Sequence, residues 1–238
     1  MSKKVAIVGF AGTKDMAPYN DPEWKIWSVN NLYKFIPHTD RIFQMHSRAS
    51  LEQEHHEVPS KEHLEFLQQT QIPVYMQQHY EDIPASVPYP LKEMVEEFGI
   101  PRFSSDTQKD AYFTNSISFM LALAIYEGFE DIGVYGVDMA VLLEYGEQRP
   151  SCEYYIGIAV GRGIRVILPT ESDLLKTRFV YGYDDEIKSA WELKLDKTIK
   201  EMQQRRFQSD TTIRNQQSVS DKYEGAITAL MEMHKTWG

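Results

Sequence analysis

Four short polar stretches of this sequence carry groups that could hold a phosphate, a sugar or a base. They are the turn Gly9–Thr13, the pair Asn30 and Asn31, the segment Thr114–Ser116 and the segment Gly136–Asp138. Glycines let backbone N–H groups approach an anion, side-chain amides donate and accept, and a carboxylate accepts a proton or binds a cation. These stretches are therefore the first candidates for a ligand site.

The turn Gly9–Thr13 matches known phosphate-binding motifs only in part. Gly9, Gly12 and Thr13 could bring backbone amides and a hydroxyl to an anion. The turn is neither a complete dinucleotide-binding fingerprint nor a P-loop, because the required glycine and lysine positions are missing. An ordinary turn after a strand is an equally good interpretation of this spacing alone.

Asn30, Asn31 and His46 follow two further predicted strands. An asparagine pair at a strand end can be a simple turn, or it can bind a base or a sugar through its amide groups. A single histidine at such a position is more often structural than catalytic. Both interpretations stay open for these three residues.

A helix is predicted directly after Thr114, since apolar residues recur there at gaps of three and four. Asn115 or Ser116 can cap its first turn, and Gly128 is placed for a left-handed stop. A strand over residues 132–135 then runs into Gly136 and Asp138. A helix followed by a buried strand is half of a parallel α/β unit.

Strands and helices alternate from residue 4 to residue 168, which predicts a Rossmann-like, mostly parallel sheet with helices on both faces. The predicted nucleotide-binding domain spans residues 1–175. Because the carboxyl ends of parallel strands meet at one edge of a sheet, the four polar stretches are expected to converge on one crevice.

The last part of the chain, residues 184–238, has a different pattern. Apolar residues at helical spacing predict two amphipathic helices, with the polar stretch 208–218 between them. They form either a hairpin on the core or an arm for self-association. The apolar area is large for a segment of this length, so a homo-oligomer is expected.

Composition excludes several classes of protein. The net charge of −10 disfavours a nucleic-acid partner, which needs a basic surface, and no apolar run is long enough to cross a membrane. The single cysteine, Cys152, suits a cytoplasmic location. His55, His56 and His63 lie in a segment that is predicted to be a solvated helix, and no metal site is assigned.

The pattern Gly-x-x-Gly-Thr, then Trp-Ser-Val-Asn-Asn, then Thr-Asn-Ser before an apolar helix and Gly-Val-Asp is similar to one superfamily. It resembles the small bacterial sialyltransferases and the 6-hydroxymethylpterin diphosphokinase-like proteins of archaea and phages, as a phage-type member. The resemblance covers about residues 4–140, and more loosely extends to 168. Residues 114–138 are its most specific part.

The resemblance implies a glycosyltransferase-like protein that binds a CMP- or UDP-type nucleotide or nucleotide-sugar. It implies that Gly12 and Thr13 lie near phosphate, that Asn30 and Asn31 lie near the ribose or donor, and that the remaining stretches surround the nucleotide. The segment 144–155 lacks the histidine that the sialyltransferases carry there. Candidate catalytic residues are therefore Asp138, His46, Glu144 and Glu153 as bases, and Arg149 for the leaving phosphate.

Two alternatives to the transferase remain from the sequence. One is a diphosphokinase that uses Mg²⁺ and ATP, for which Asp138 is the strongest candidate ligand. The other is a non-catalytic protein that sequesters or senses a nucleotide, which the missing histidine favours.

Overall fold

The computed structural model describes residues 3–52, 61–102, 105–139, 144–177, 180, 182–183 and 188–237. His55 and His56, for which a solvated helix was predicted, lie outside the described residues. So do residues 184–187, the start of the predicted C-terminal segment. The chain divides into two compact units, Met1–Lys176 and Thr177–Gly238.

The first unit is built on a seven-stranded parallel sheet. Its strands in sequence are β1 Lys4–Val8, β2 Trp24–Val29, β3 Arg41–Phe43, β4 Val74–Met76, β5 Ser86–Pro88, β8 Asp131–Tyr135 and β9 Arg165–Ile167. They lie side by side in the order β5-β4-β3-β2-β1-β8-β9, and every neighbouring pair is parallel. The predicted α/β fold class is confirmed.

Helices of the first unit are α1 Arg48–Glu52, α2 Lys61–Gln69, α3 Leu91–Phe98, α4 Ser116–Tyr126 and α5 Arg149–Gly161. Short 3₁₀ turns at Gly12–Met16 and Leu32–Phe35 follow β1 and β2, and a π-helical turn, Glu144–Gln148, precedes α5. Four consecutive residues of β1, Val5–Val8, are completely buried. Such a continuous apolar run is typical of a central parallel strand that is covered on both faces.

Local sequence explains the bounds of α4, the helix that begins at the polar stretch Thr114–Ser116. The side chain of Asn115 accepts a hydrogen bond from the Ser118 amide at 3.0 Å, which caps the first turn. Gly128 has a φ of +72° just beyond the last turn, so the predicted left-handed stop is confirmed. The cap and the stop together set the two ends of α4, so the helix begins next to the polar stretch Thr114–Ser116.

Strand β7 Ser105–Asp110 pairs antiparallel with β6 Ile100–Arg102 and forms a separate two-stranded sheet. One prediction about an irregular segment is wrong. Residues 208–218, expected to separate two helices, lie inside one helix, α6 Lys188–Trp237. Residues 208–218 include neither glycine nor proline, so no residue in that stretch breaks a helix.

The helix predicted around His63 is present as α2, and most of its side chains are exposed or half-buried, but His63 itself is not solvated. His63 lies on α2 and is completely buried, with its ring nitrogens 3.2 Å from the Tyr33 hydroxyl and 3.0 Å from the Gln44 side-chain oxygen. Tyr33 stacks on both His63 and Phe66. Burial, with a smaller contribution from Lys34, lowers the pKa of His63 from its ordinary 6.5 to about 4. This histidine is therefore a neutral core residue at pH 7.

Within the described residues, no helix combines the length and the apolarity that crossing a membrane requires.

Candidate functional site

A cavity of about 350 Å³ opens at the carboxyl edge of the sheet. Each of its walls comes from the end of a strand or the start of a helix, as expected for a doubly wound sheet. The lining residues are Gly9, Phe10, Ala11, Val29, Asn30, His46, Thr114, Asn115, Ser116, Ile117, Gly136, Val137, Asp138, Met139 and Gln148. The volume falls in the range of small-molecule sites, roughly 300–1,000 Å³.

The cavity brings together most of the residues that were singled out in the sequence. Gly9, Asn30, His46, Thr114, Asn115, Ser116, Gly136 and Asp138 all line it. Gly12, Thr13, Asn31 and Arg149 are not among the lining residues. The polar stretches therefore converge, although the two ends of the glycine turn have different roles.

Thr13 fixes the floor of the cavity with a bond inside the protein. Its buried hydroxyl accepts a hydrogen bond from the Gly136 amide at 2.8 Å. The Ala11 amide donates to the Gly136 carbonyl at 2.9 Å, and Ser172 donates to the Val137 carbonyl at 2.8 Å. The loop after β8 is thus held from both sides, which makes this part of the cavity rigid.

Two glycines let the ends of β1 and β8 touch. A Cβ atom at position 136 would lie 2.2 Å from the carbonyl oxygen of Gly9, and one at position 9 would lie 2.4 Å from the carbonyl oxygen of Gly136. Gly136 also has a φ of +64°, in the left-handed region. The glycines serve first to bring two strand ends together, and the cavity floor is a result of that contact.

Asn30 has the most distinctive conformation in the cavity. Its φ is +49°, and its side-chain oxygen is buried without a hydrogen-bond partner among the described residues. Met139, which also lines the cavity, has a φ of +48°. Left-handed non-glycine residues are uncommon and gather at functional sites. The buried oxygen of Asn30 is a group that a bound ligand would satisfy.

The opposite wall is the N-terminus of α4, bound to the start of α5. The Asn115 side-chain nitrogen donates to the Gln148 carbonyl at 2.9 Å and to the Ser151 hydroxyl at 3.0 Å, and Thr114 bonds Ser151 at 2.7 Å. Ser116 and Ile117, the first residues of the helix, both line the cavity. First-turn amides at a helix N-terminus carry partial positive charge, so this wall suits an anion.

Asn115 has a structural task as well, since its oxygen accepts from the Ser118 amide and from the Cys152 thiol. Ser151 lies inside α5 and is buried. Burial raises the pKa of the Cys152 thiol to about 12, so this cysteine stays protonated and unreactive at neutral pH.

Charged groups are few in the cavity. Asp138 and the exposed His46 are the ionisable side chains in the described lining. Arg149 is engaged elsewhere: its guanidinium donates to Glu153 at 2.6 Å and to the Lys176 carbonyl at 3.1 Å. Glu153 also accepts from the Leu175 amide at 2.7 Å, so this pair ties α5 to the end of the first unit.

An exposed aromatic ring, Phe10, lines the cavity and contacts a second ring, Phe35, and no prediction was made for either from the sequence. Phe10 lines the cavity although 47% of it is exposed, and its ring centroid lies 6.4 Å from that of Phe35, which is 60% exposed. Large exposed aromatic rings beside a polar cavity are typical of binding surfaces. The available signal was an aromatic residue between two turn glycines, Gly9 and Gly12.

Comparison with known proteins gives structural neighbours only. No family model matches this chain, and no curated protein matches it. Among solved structures, the sialyltransferase CstII is similar at a TM-score of 0.43. The complex with CMP is 14% identical, and the complex of the Campylobacter jejuni enzyme with the substrate analogue CMP-3FNeuAc is 15% identical. Each match covers 70% of this chain and 80% of CstII.

Proposed function

We propose that this protein binds a nucleotide or a nucleotide-sugar in the strand-end cavity and acts as a glycosyltransferase-like transferase. The observation that carries the proposal is Asn30, whose buried side-chain oxygen has no partner among the described residues and whose backbone is left-handed. A base or sugar hydroxyl that donates to this oxygen would remove the cost of leaving it unsatisfied. The N-terminus of α4 across the cavity would hold the phosphate.

The chemistry of the lining favours a donor with one phosphate, such as a CMP-sugar, over one with two, such as a UDP-sugar. No lysine or arginine is present in the described lining, so the N-terminus of α4 is the group proposed to oppose anionic charge. A single helix N-terminus compensates about half of one elementary charge. A diphosphate would leave more charge uncompensated.

His46 and Asp138 are the proposed candidates for the base that removes the proton of an acceptor hydroxyl, because both line the cavity. With the Arg149 guanidinium held by Glu153 and the Lys176 carbonyl, we propose that the α4 amides stabilise the leaving phosphate instead.

Calorimetric titration with CMP, UDP, GDP and ATP derivatives tests the binding proposal directly. Binding of CMP derivatives more tightly than UDP derivatives is expected, and a folded sample that binds none of them would refute the proposal. Product analysis with donor sugars, and separately with Mg²⁺ and ATP, then separates transfer from simple binding.

A non-catalytic nucleotide-binding protein is the second candidate, favoured by the small number of ionisable groups in the described lining. A diphosphokinase has less support. A metal site would need a cluster of three or more histidine, cysteine or carboxylate side chains. The described residues contain no such cluster. Asp138 is the carboxylate that the described lining offers to Mg²⁺.

Asn30→Gly is expected to weaken nucleotide binding about tenfold, the effect of losing one hydrogen bond of about 1.4 kcal/mol. Glycine accepts the φ of +49° without strain, so this change removes the amide and leaves the backbone unaltered. Calorimetry on Asn30→Gly and Asn31→Gly checks the assignment. A larger loss at Asn31, which the cavity lining does not include, would place the ligand elsewhere.

Phe10→Ala is expected to weaken binding by roughly 1–3 kcal/mol if a base stacks on this ring. Tyr126→Ala is the matched control, because Tyr126 is an aromatic residue of similar exposure, 49%, at the opposite end of α4. Equal affinities of the Phe10→Ala variant and the native protein would show that the ring is not part of the site.

We also propose that the protein is a homo-oligomer that self-associates through α6. The support is the row of exposed apolar side chains along this helix, from Leu195 to Trp237.

A further inference from the structure

Helix α6 carries two apolar blocks with the repeat of a coiled coil. Starting at Leu195, steps of four and three residues lead through Ile199 and Met202, and the same count reaches Tyr223, Ile227, Leu230 and Trp237. Within each block this spacing keeps one side of the helix facing a partner helix. We call the row of counted positions from Leu195 to Trp237 the seam.

The seam has two apolar blocks. The first block is Leu195, Ile199 and Met202, and the second is Tyr223, Ile227 and Leu230. All six side chains are exposed, from 40% at Leu195 to 68% at Tyr223. A helix gains most of its stability in water from packing an apolar face. Because these side chains are exposed on a 50-residue helix, we expect this face to pack against another surface.

Between the blocks the seam is mostly polar. It passes through Arg206, Ser209, Ile213, Gln216 and Ser220. The two blocks lie on opposite sides of this polar centre. When a second copy runs in the opposite direction and is centred between Ile213 and Gln216, two apolar residues of each block meet two of the other block. The outermost residue of the first block, Leu195, then lies opposite His234.

We propose that two copies of α6 form an antiparallel coiled-coil dimer centred between Ile213 and Gln216. This rests on the self-association proposed above and adds its direction and register. In antiparallel coiled coils a and d positions face one another across the seam. Ile199 then lies opposite Leu230 of the second copy, Met202 lies opposite Ile227, and Ser209 lies opposite Ser220.

Arg206 decides the direction. In a parallel pair the two copies of Arg206 would face each other in the seam, and like charges at such a position are repulsive. In the antiparallel pair Arg206 lies opposite Tyr223 of the other copy, where a guanidinium and an aromatic ring attract. Arg206 is also 3.9 Å from Asp210 one turn further along its own helix, a contact that either direction allows.

Cysteine cross-linking on the full-length protein tests direction and register together. Met202→Cys and Ile227→Cys are made as separate variants and oxidised alone and as an equal mixture. The antiparallel dimer predicts a disulfide-linked dimer only in the mixture, because position 202 faces position 227. The native Cys152 does not interfere, since it is completely buried.

Light scattering and helix content by circular dichroism complete the experiment. A dimer with the mixed cross-link supports the proposal. A monomer with native helix content overturns both self-association and direction, whatever the protein binds in its cavity. A dimer in which each variant cross-links with itself overturns the antiparallel direction, and a dimer with no cross-link overturns the register.

A matched pair of substitutions separates the seam from the rest of the helix. Ile227→Asp, in the seam, is expected to weaken the dimer roughly a hundredfold, because each copy would bury an unpaired carboxylate. Ala229→Asp introduces the same charge two residues away, outside the seam, and is expected to leave the dimer constant within about twofold. Equal effects of the two changes contradict the assigned seam.

Discussion

Gly136→Ala is expected to lower the free energy of unfolding by about 2–5 kcal/mol. Two costs add at this position. An alanine at a φ of +64° is strained by about 1–2 kcal/mol, and its Cβ would lie 2.2 Å from the Gly9 carbonyl oxygen. Backbone atoms cannot move aside as a flexible side chain can, so the ends of β1 and β8 must separate.

The loss extends to the cavity. The Gly136 amide is bound by Thr13 and its carbonyl by the Ala11 amide, so shifting Gly136 disturbs both contacts. We therefore expect weaker nucleotide binding by Gly136→Ala even at temperatures where the variant is folded. Urea unfolding measures the stability, and calorimetry at low temperature measures the binding.

Gly128→Ala is the control that separates the two costs. Gly128 has a similar φ of +72°, but a Cβ there would meet nothing within 4 Å. This variant should lose only the conformational term, about 1–2 kcal/mol. If both alanine variants lose the same stability, the contact between Gly9 and Gly136 is not tight in solution and the explanation of the cavity floor is wrong.

The centre of the sheet could be predicted from the sequence because its strands are buried on both faces. Val5–Val8 and the residues 132–135 contain no charged side chain, and each run is followed by a glycine. Convergence of the polar stretches followed from topology alone, because carboxyl ends of parallel strands share one edge. Neither step needs knowledge of side-chain direction.

Side-chain direction is what the sequence could not supply. The Thr13 hydroxyl could face a ligand or a backbone amide, and in the structure it accepts from Gly136. Arg149 could face the cavity or Glu153 one turn later, and it pairs with Glu153. These choices depend on contacts between residues that are distant along the chain, such as position 13 and position 136.

The C-terminal helix shows a different limit. A polar stretch between two apolar blocks was interpreted as a connection, although it contains no helix-breaking residue. Of the heptad positions inside it, Ser209, Ile213 and Gln216, only Ile213 is apolar, so hydrophobic spacing does not identify this part as helix. The absence of glycine and proline is the signal for one continuous helix.

Acidification from pH 6.5 to pH 4 is expected to cost the native protein about 3 kcal/mol through His63 alone. Burial lowers the pKa of His63 to about 4 in the folded protein, whereas in the unfolded chain it has its ordinary value of 6.5. Between these two pKa values the unfolded state binds a proton at His63 more strongly than the folded state does. The stabilisation is complete above pH 6.5, falls as the pH decreases, and is fully lost below about pH 4.

His63→Gln removes this titration and keeps a hydrogen-bonding side chain near Tyr33 and Gln44. It is expected to be less stable than the native protein at pH 7, because the stacking on Tyr33 is lost. Its stability should then fall less steeply between pH 6.5 and pH 4. Carboxylates also titrate in this range, but they are common to both proteins, so the difference between the two curves isolates His63.

His38→Gln is the matched control, because His38 is exposed. Urea unfolding at half-unit pH steps gives the three curves. The native protein and His38→Gln should have the same slope, and His63→Gln a shallower one. If the slope of His63→Gln equals that of the native protein, the buried histidine is not the group that couples protons to folding, and its burial does not keep it neutral in solution.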